Sequence, residues 1–360
     1  MGKRSIFLWI ILVVVASLPN WACKNAKERA ADRLFAAYTG DVPGASVLII
    51  HDGVHEFVGS YGLADLEKKT PVTAMTNFRL ASVTKQFTAM CILQLMEQGK
   101  LSLDMTLKDI FPEFPEYGRS ITVWNLLTHT SGLIDYEDLI PDTATVQVLD
   151  RDVLQMMMQQ DSTYFPPGTQ FRYSNTGYAV LAMVVEKVSG QSFPDYLEQH
   201  IFKPLHMNNT VAYVKGVNEV PYRAYGYAWE DGRFVFKDQS LTSAVLGDGG
   251  IYSSVHDLYF WDQALYTDKL VSKSTLQMAF TPAVLASGDT TNYGFGWRID
   301  HYRGHLRYHH TGSTCGFRNV IQRYPDDRFT VIILTNRAEP NVAPLAEKLT
   351  DIFLFGDKNF

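Results

Sequence analysis

The sequence predicts an α+β fold in which both ends of the chain build an antiparallel sheet and a mainly helical segment is inserted between them. Three observations carry this. Strand-like runs cluster near the start and again after Gly296, a long and almost wholly apolar helical stretch follows the first cluster, and the residues between are helical and loop-rich.

Taken in order, Asn25 to Tyr38 spaces Ala31, Leu34, Phe35 and Tyr38 along one side of a helix, and Gly40 ends it. Ala45 to Ile50 and Val54 to Tyr61 flank Asp52-Gly53, a dipeptide suited to the positive φ angles of a tight hairpin, so the sheet opens antiparallel and not as a dinucleotide-binding unit. Val83 to Gln98 is apolar on nearly all sides and stops at Gly99, the pattern of a helix buried centrally. In the middle stretch the clearest helix is Tyr178 to Val188, terminated by Gly190. Strands return at Trp297 to Ile299, Leu306 to His310, Phe317 to Tyr324 and Thr330 to Leu334, the last two separated by Pro325-Asp326-Asp327. A closing helix puts Leu345, Leu349, Ile352 and Phe353 on one side. The expected organisation is a unit over 25–355, with a sheet part at about 25–104 and 246–355 and a helical part at about 105–245.

Of the 360 residues 46% are hydrophobic and 19% charged, enough apolar material for a sizeable core. The formal charge is -6 and no window gathers a basic patch, which excludes nucleic acid as an expected partner. Lys3 and Arg4 precede an apolar run from Ile6 to Ala16, with Pro19 beyond, so residues 1–22 read as a signal peptide or an N-terminal anchor. Cys23 is a candidate lipid-attachment site, although Asn20 and Trp21 depart from the aliphatic pattern that usually precedes one. The expected location is outside the cytoplasm, periplasmic or membrane-attached. Cys91 and Cys315 are the only later cysteines and make no disulfide framework; Cys91 reads as a packed core residue.

Ser82-Val83-Thr84-Lys85 stands at the start of the buried helix, where residues three apart share a face. A serine hydroxyl is a poor nucleophile until a base takes its proton, and a neighbouring lysine can serve, while the helix N-terminus offers N–H groups to an oxyanion. The competing reading is a helix cap at Ser82 followed by a surface lysine. Tyr173-Ser174-Asn175 precedes a helix expected to begin near Gly177; a phenol can relay a proton and the Asn175 amide can accept from Lys85 and donate to substrate, or Asn175 is simply the N-cap. His310-Thr311-Gly312-Ser313 is expected at the end of a strand whose edge can bind an acyl group, with the N–H groups of Ser82 and Ser313 forming an oxyanion hole. His301, His305, His309 and His310 raise a metal reading, but Gly304 and the alternation around it indicate strands, which such spacings do not suit. No metal or organic cofactor is expected.

The order Ser-x-x-Lys, Tyr-x-Asn, His-Thr-Gly resembles the serine β-lactamase and DD-peptidase superfamily, nearest its class C branch. Leu126-Leu127-Thr128-His129-Thr130-Ser131-Gly132-Leu133, Pro167-Gly168 and Gly249-Gly250-Ile251-Tyr252-Ser253-Ser254 are similar to it as well, and the likeness spans roughly 30–355. It implies a sheet of five or more antiparallel strands flanked by the terminal and buried helices, with the active site in a cleft against a helical part. It further implies Ser82 as acylated nucleophile, Lys85 as its basic partner, Tyr173 as proton shuttle, Asn175 as a substrate-positioning residue, and His310, Thr311 and Gly312 as the opposite wall. Substrates would be small esters, peptides or β-lactams hydrolysed through an acyl-enzyme; the alternative is a slow-deacylating penicillin-binding sensor. No Gly-x-Ser-x-Gly elbow occurs, which argues against an α/β-hydrolase. Where relatives usually carry lysine, His310 is expected to be mostly neutral at pH 7, to weaken attraction for anionic substrates, and to regain charge towards pH 6, with Arg318 a candidate substitute cation.

Overall fold

The computed structural model describes residues 25–357; the leader-like segment 1–22 and Cys23 lie outside them. Helix α1 (Ala26–Leu34) starts at a capping box in which the Asn25 side chain accepts the Glu28 N–H and the Glu28 carboxylate accepts the Asn25 N–H. It ends earlier than the periodicity suggested, and Ala36–Tyr38 continues as a single 3-10 turn. Strands β1 (Ala45–His51) and β2 (Val54–Tyr61) meet at Asp52 and Gly53, with φ of 50° and 79°, as the dipeptide requires. The short pair β3 (Leu63–Asp65) and β4 (Thr70–Pro71) and the strand β5 (Phe78–Arg79) lead to α2 (Lys85–Glu97), in which every residue from Lys85 to Leu95 is buried.

The middle of the chain forms α3 (Leu107–Ile110), α4 (Val123–Leu127), α5 (Asp150–Met158), α6 (Asn175–Ser189) and α7 (Phe193–Leu197). Two strand pieces interrupt the helical pattern. β6 (Val211–Ala212) pairs with β9 (Ile251–Ser253), and β7 (Tyr227–Glu230) and β8 (Arg233–Phe236) form a hairpin turned by Asp231-Gly232. That hairpin is stitched back to the sheet side by Ala224 N–H to the Asn77 carbonyl and Tyr227 N–H to the Asn336 carbonyl. After α8 (Leu246–Gly249) come α9 (Val255–Ala264), α10 (Lys273–Ala279), the strands β10 (Arg298–Tyr302), β11 (His305–Thr314), β12 (Phe317–Tyr324) and β13 (Phe329–Thr335), and α11 (Ala343–Phe353).

The main sheet has six antiparallel strands in the order β10-β11-β12-β13-β1-β2, so the last strand of the chain pairs with the first, Ala45 opposite Thr335. Period-two alternation divides its apolar side chains. Val47, Ile49, Val320, Val331 and Ile333 meet α1 and α11, while Leu48, Ile50, Ile321, Ile332 and Leu334 join the core that contains α2, α6 and α9. Helix α2 therefore lies between the sheet and the helical stretch, and its N-terminal end is where the two meet.

Candidate active site

Ser82 sits in a 3-10 turn, Ala81–Thr84, between β5 and α2. It caps nothing: Thr84 occupies the N-cap position and no side chain bonds there. The preceding Ala81 is forced to φ 51°, a left-handed conformation costing an alanine roughly 1–2 kcal/mol. Neighbours hold the turn in place. The Leu80 N–H reaches the Ile251 carbonyl at 2.8 Å, the Asn319 amide donates to the Arg79 carbonyl at 2.7 Å, and β11 presses so close that a side chain at Gly312 would put Cβ 2.1 Å from the Leu80 carbonyl oxygen. Only glycine permits that approach.

Lys85 is fully buried, which removes the surface-lysine reading. Its ammonium has three protons and three acceptors: Ser82 Oγ at 3.1 Å, Asn175 Oδ1 at 2.9 Å and the Asp248 carbonyl at 2.8 Å. The faces of Tyr173 and Tyr178 lie 5.0 and 5.6 Å away. The Asn175 amide nitrogen donates to Glu137 at 2.7 Å, so one of the two N–H groups expected for substrate is already taken. Helix α6 begins at Asn175, two residues before the expected start, because Ser174 is the cap and accepts the Gly177 N–H.

Behind Lys85 stands a group of buried acids that the motifs did not indicate. The Tyr136 hydroxyl donates to Asp248, whose carboxyl is pushed up to about 6 by burial, with Glu137 adding to the rise and the Lys85 charge opposing it. Asp150 accepts the N–H groups of Leu246 and Gly247 at 2.8 and 2.9 Å and so braces the start of α8, the element whose carbonyl holds Lys85. Burial raises the Asp150 carboxyl to about 7 against the pull of those two donors.

The His-Thr-Gly triplet lies within β11, not at its end as expected, because the strand runs on to Thr314. Pairing with β10 stops at His309, so the edge from His310 to Thr314 faces the Ser82 turn without a strand partner. This placement brings Thr311, Gly312 and Ser313 to the nucleophile's side. His310 Nδ1 donates to the Thr311 carbonyl at 2.7 Å, which leaves Nε2 to accept the Tyr293 hydroxyl at 2.9 Å. Burial, then the Lys85 charge, hold its pKa well below the usual histidine value. His310 is neutral as expected, but it gains no charge by pH 6, a correction to the sequence expectation.

Arg318, the expected substitute cation, bonds the Phe317 carbonyl instead. Arg298 lies nearer the chemistry, over the rings of Tyr173 and Tyr293 at 5.7 and 5.8 Å, and no carboxylate among the described residues pairs with it. The other clustered histidines diverge: His305 pairs with Asp327, His309 with Asp300, and His301 is exposed. Cys91 is buried in α2 as expected. Tyr173, half-buried as a residue, carries a buried hydroxyl with no hydrogen-bond partner among the described residues, and beside it stands the buried His129. The signal for His129 was available, since it falls inside the Leu126–Leu133 stretch; Asp248, Glu137 and Arg298 gave none, being single charged residues brought in by folding. A cavity of ≈ 1280 Å³ opens elsewhere, lined by Asp150, Met183, Phe202, Arg223 and Leu246, and Ser82 is not part of it.

The chain matches the family model described as Beta-lactamase over residues 31–352. It is 35% identical over 311 residues to penicillin-binding protein 4* of Bacillus subtilis (strain 168), an alignment covering 82% of this chain and 68% of that protein. Among solved structures, the octameric penicillin-binding protein homologue from Pyrococcus abyssi superposes with a TM-score of 0.79 at 28% identity, covering 91% of this chain and 77% of that one. A penicillin-binding protein from Bacillus halodurans gives 0.77 at 28% identity, covering 93% and 100%.

Proposed function

Because the chain belongs to the beta-lactamase family, within the superfamily of serine β-lactamases and penicillin-binding proteins, we propose that it hydrolyses amides or esters through an acyl-enzyme on Ser82, in the manner of the class C branch. One observation carries the assignment: a wholly buried ammonium spends one of its three hydrogen bonds on Ser82 Oγ. The bond satisfies the third proton of a lysine that has no access to water, and it also holds the Ser82 hydroxyl against the group that can serve as its base, which is what a nucleophile needs.

In this reading the Lys85–Tyr173 pair first releases one proton to solvent, and Ser82 Oγ then adds to the substrate carbonyl carbon as its own proton passes to that pair. The oxyanion is met by the N–H groups of Ser82 and Ser313. The bond to the leaving group then breaks, and the Tyr173 hydroxyl, which has no other partner among the described residues, returns the proton to the departing oxygen or nitrogen. Water repeats the sequence on the acyl-enzyme and frees Ser82. Asn175, with its remaining N–H, and the β11 edge at His310, Thr311 and Gly312 bind the acyl portion. Arg298 supplies the positive charge that His310 does not, so the preferred substrates carry a carboxylate near the scissile bond, as peptides and β-lactams do.

Incubation with a fluorophosphonate, and separately with benzylpenicillin, followed by peptide mass spectrometry, is expected to place both adducts on Ser82. An adduct elsewhere, or none, overturns the assignment. The likeness to penicillin-binding protein 4* supports a second reading, a chain that binds penicillin and deacylates slowly; a stoichiometric burst without turnover on a chromogenic substrate separates it from the first. We also propose export through residues 1–22, on the strength of Lys3, Arg4 and the Ile6 to Ala16 run; N-terminal sequencing of the mature protein, together with a test for lipid on Cys23, decides it.

A further inference from the structure

We infer that His129 is a positioning residue that clamps Tyr173 for proton transfer, an inference that rests on the role of Tyr173 proposed above. One residue holds the chain on both sides of the tyrosine. The His129 carbonyl accepts the Arg172 N–H at 2.9 Å, and its imidazole Nδ1 accepts the Ser174 N–H at 3.1 Å. Between those two anchors the imidazole packs on the Tyr173 ring with centroids 4.3 Å apart, and Tyr293, the partner of His310, closes on the same imidazole at 4.5 Å. Tyr173 cannot slide or turn without breaking a hydrogen bond to His129 or losing that face.

The clamp depends on a backbone few residues adopt. His129 has φ 59°, and this is what lets its carbonyl and its ring address the amides on either side of Tyr173 in the same loop. Its tautomer is fixed too: since Nδ1 accepts, the neutral ring carries its proton on Nε2, which has no hydrogen-bond partner among the described residues. A second proton would have to go on Nδ1, facing the Ser174 N–H, and would break the clamp. Burial first, then the Lys85 charge, with Arg298 adding to it, keep that proton off by lowering the pKa well below the usual histidine value.

The consequence is specific to leaving groups that need a proton. A p-nitrophenolate departs unaided, whereas the amine of an anilide has to be protonated as it leaves, so misplacing the Tyr173 hydroxyl penalises the anilide more. His129→Phe keeps a ring but loses the acceptor; His129→Asn tolerates the left-handed backbone and keeps an acceptor but loses the ring. Pre-steady-state acylation by an anilide and a p-nitrophenyl ester of the same acyl group is the measurement. His129→Phe is expected to slow anilide acylation about 100-fold, at least tenfold more than the ester, with KM within about twofold on both. Tyr173→Phe should show the same split, and the double variant should be no worse than Tyr173→Phe alone. His129→Asn should fall between wild type and His129→Phe. Equal losses on the two substrates in both variants, or losses that multiply in the double variant, overturn the inference. Ser82→Ala serves as the control: if it still turns over, the underlying site reading has failed, and if it is inactive while the split is absent, only the role of His129 has.

Discussion

The two faces of the main sheet use the same alternating strands for opposite ends. On the α1 and α11 side, Val47, Ile49, Val331 and Ile333 meet Phe35, Leu349, Ile352 and Phe353, and the Tyr38 hydroxyl is the one buried side-chain polar atom of that core without a hydrogen-bond partner among the described residues. On the α2 side, the apolar core adjoins the buried Lys85, the buried acids Asp150 and Asp248 and the buried histidines His129 and His310. Arg79 Nη1, Gln86 Nε2, His129 Nε2 and the Tyr173 hydroxyl lack hydrogen-bond partners there among the described residues, and Ala81 and His129 hold left-handed backbone. Burying such groups unpaired costs about 1–3 kcal/mol each, so the α2 face gives up stability that the α1/α11 face must offset. One period of two thus separates a surface that only holds the fold together from one arranged for chemistry.

The sharpest test of that separation is Ser82→Ala. It should lower turnover by about 10⁴-fold or more while shifting the melting temperature little, because Ser82 makes no cap and the change removes one hydroxyl. A large loss of stability alongside would show that the turn carries the fold as well. The opposite break is Leu349→Ala on the α1/α11 face. With Leu349 fully buried, it should cost about 2–5 kcal/mol in a denaturant titration and leave kcat/KM unchanged well below the melting temperature. An altered kcat/KM would mean that the sheet transmits strain between its faces.

The cost of the α2 face should also be visible in pH. Asp248 has its carboxyl raised from 3.8 to about 6, chiefly by burial, so the folded state binds that proton more tightly than the unfolded chain does. Its contribution is then fully present below about pH 4 and lost as pH rises through 6, which amounts to at most about 3 kcal/mol. Asp150, raised to about 7, acts in the same direction over a slightly higher range. Asp248→Asn keeps an acceptor for the Tyr136 hydroxyl and removes the charge. We expect the variant to be more stable than wild type at pH 8, equal or weaker at pH 4, and less active throughout. A difference in stability that does not change between pH 4 and pH 8 would refute the buried-charge account.

The contrast between the faces explains what the sequence could reveal. Elements of the α1/α11 face were legible because their signals are local: Asp52-Gly53 at the hairpin, apolar alternation in β12 and β13, and the Leu345 to Phe353 stripe of α11. Ser82, Lys85, Tyr173 and Asn175 were legible too, because short spacings put each pair on one helix start, and the structure brings the two pairs together at Lys85 Nζ. What escaped was set by non-local contacts. Nothing in the spacing of Asp150, Asp248 or Arg298 connects them to Ser82. His310 was placed at a strand end because the apolar alternation stops there, whereas pairing with Val320 and Ile321 carries β11 onward. Even its titration was misjudged on local grounds: a solvent-exposed histidine would charge near pH 6, but this one is sealed beneath Tyr293 beside an ammonium.

The smallest expected effect follows from that correction and bears on which side chain recognises an anionic substrate. If His310 provided the charge, the ratio of kcat/KM for a substrate bearing a carboxylate to that for a neutral ester of similar size would rise as pH fell from 8 to 6. Its depressed pKa keeps it neutral over that range, so the ratio should stay flat in wild type. Titration of Asp248 near 6 alters Lys85 and therefore both substrates together, and cancels in the ratio. A charge-assisted hydrogen bond from the Arg298 guanidinium to a carboxylate adds on the order of 1.4 kcal/mol at a partly exposed site. Arg298→Gln should therefore lower the ratio about tenfold at all three of pH 6, 7 and 8, with the neutral ester changed less than about twofold. A ratio that climbs towards pH 6 in wild type would return the anion-binding role to His310, and a ratio unmoved by Arg298→Gln would remove it from Arg298.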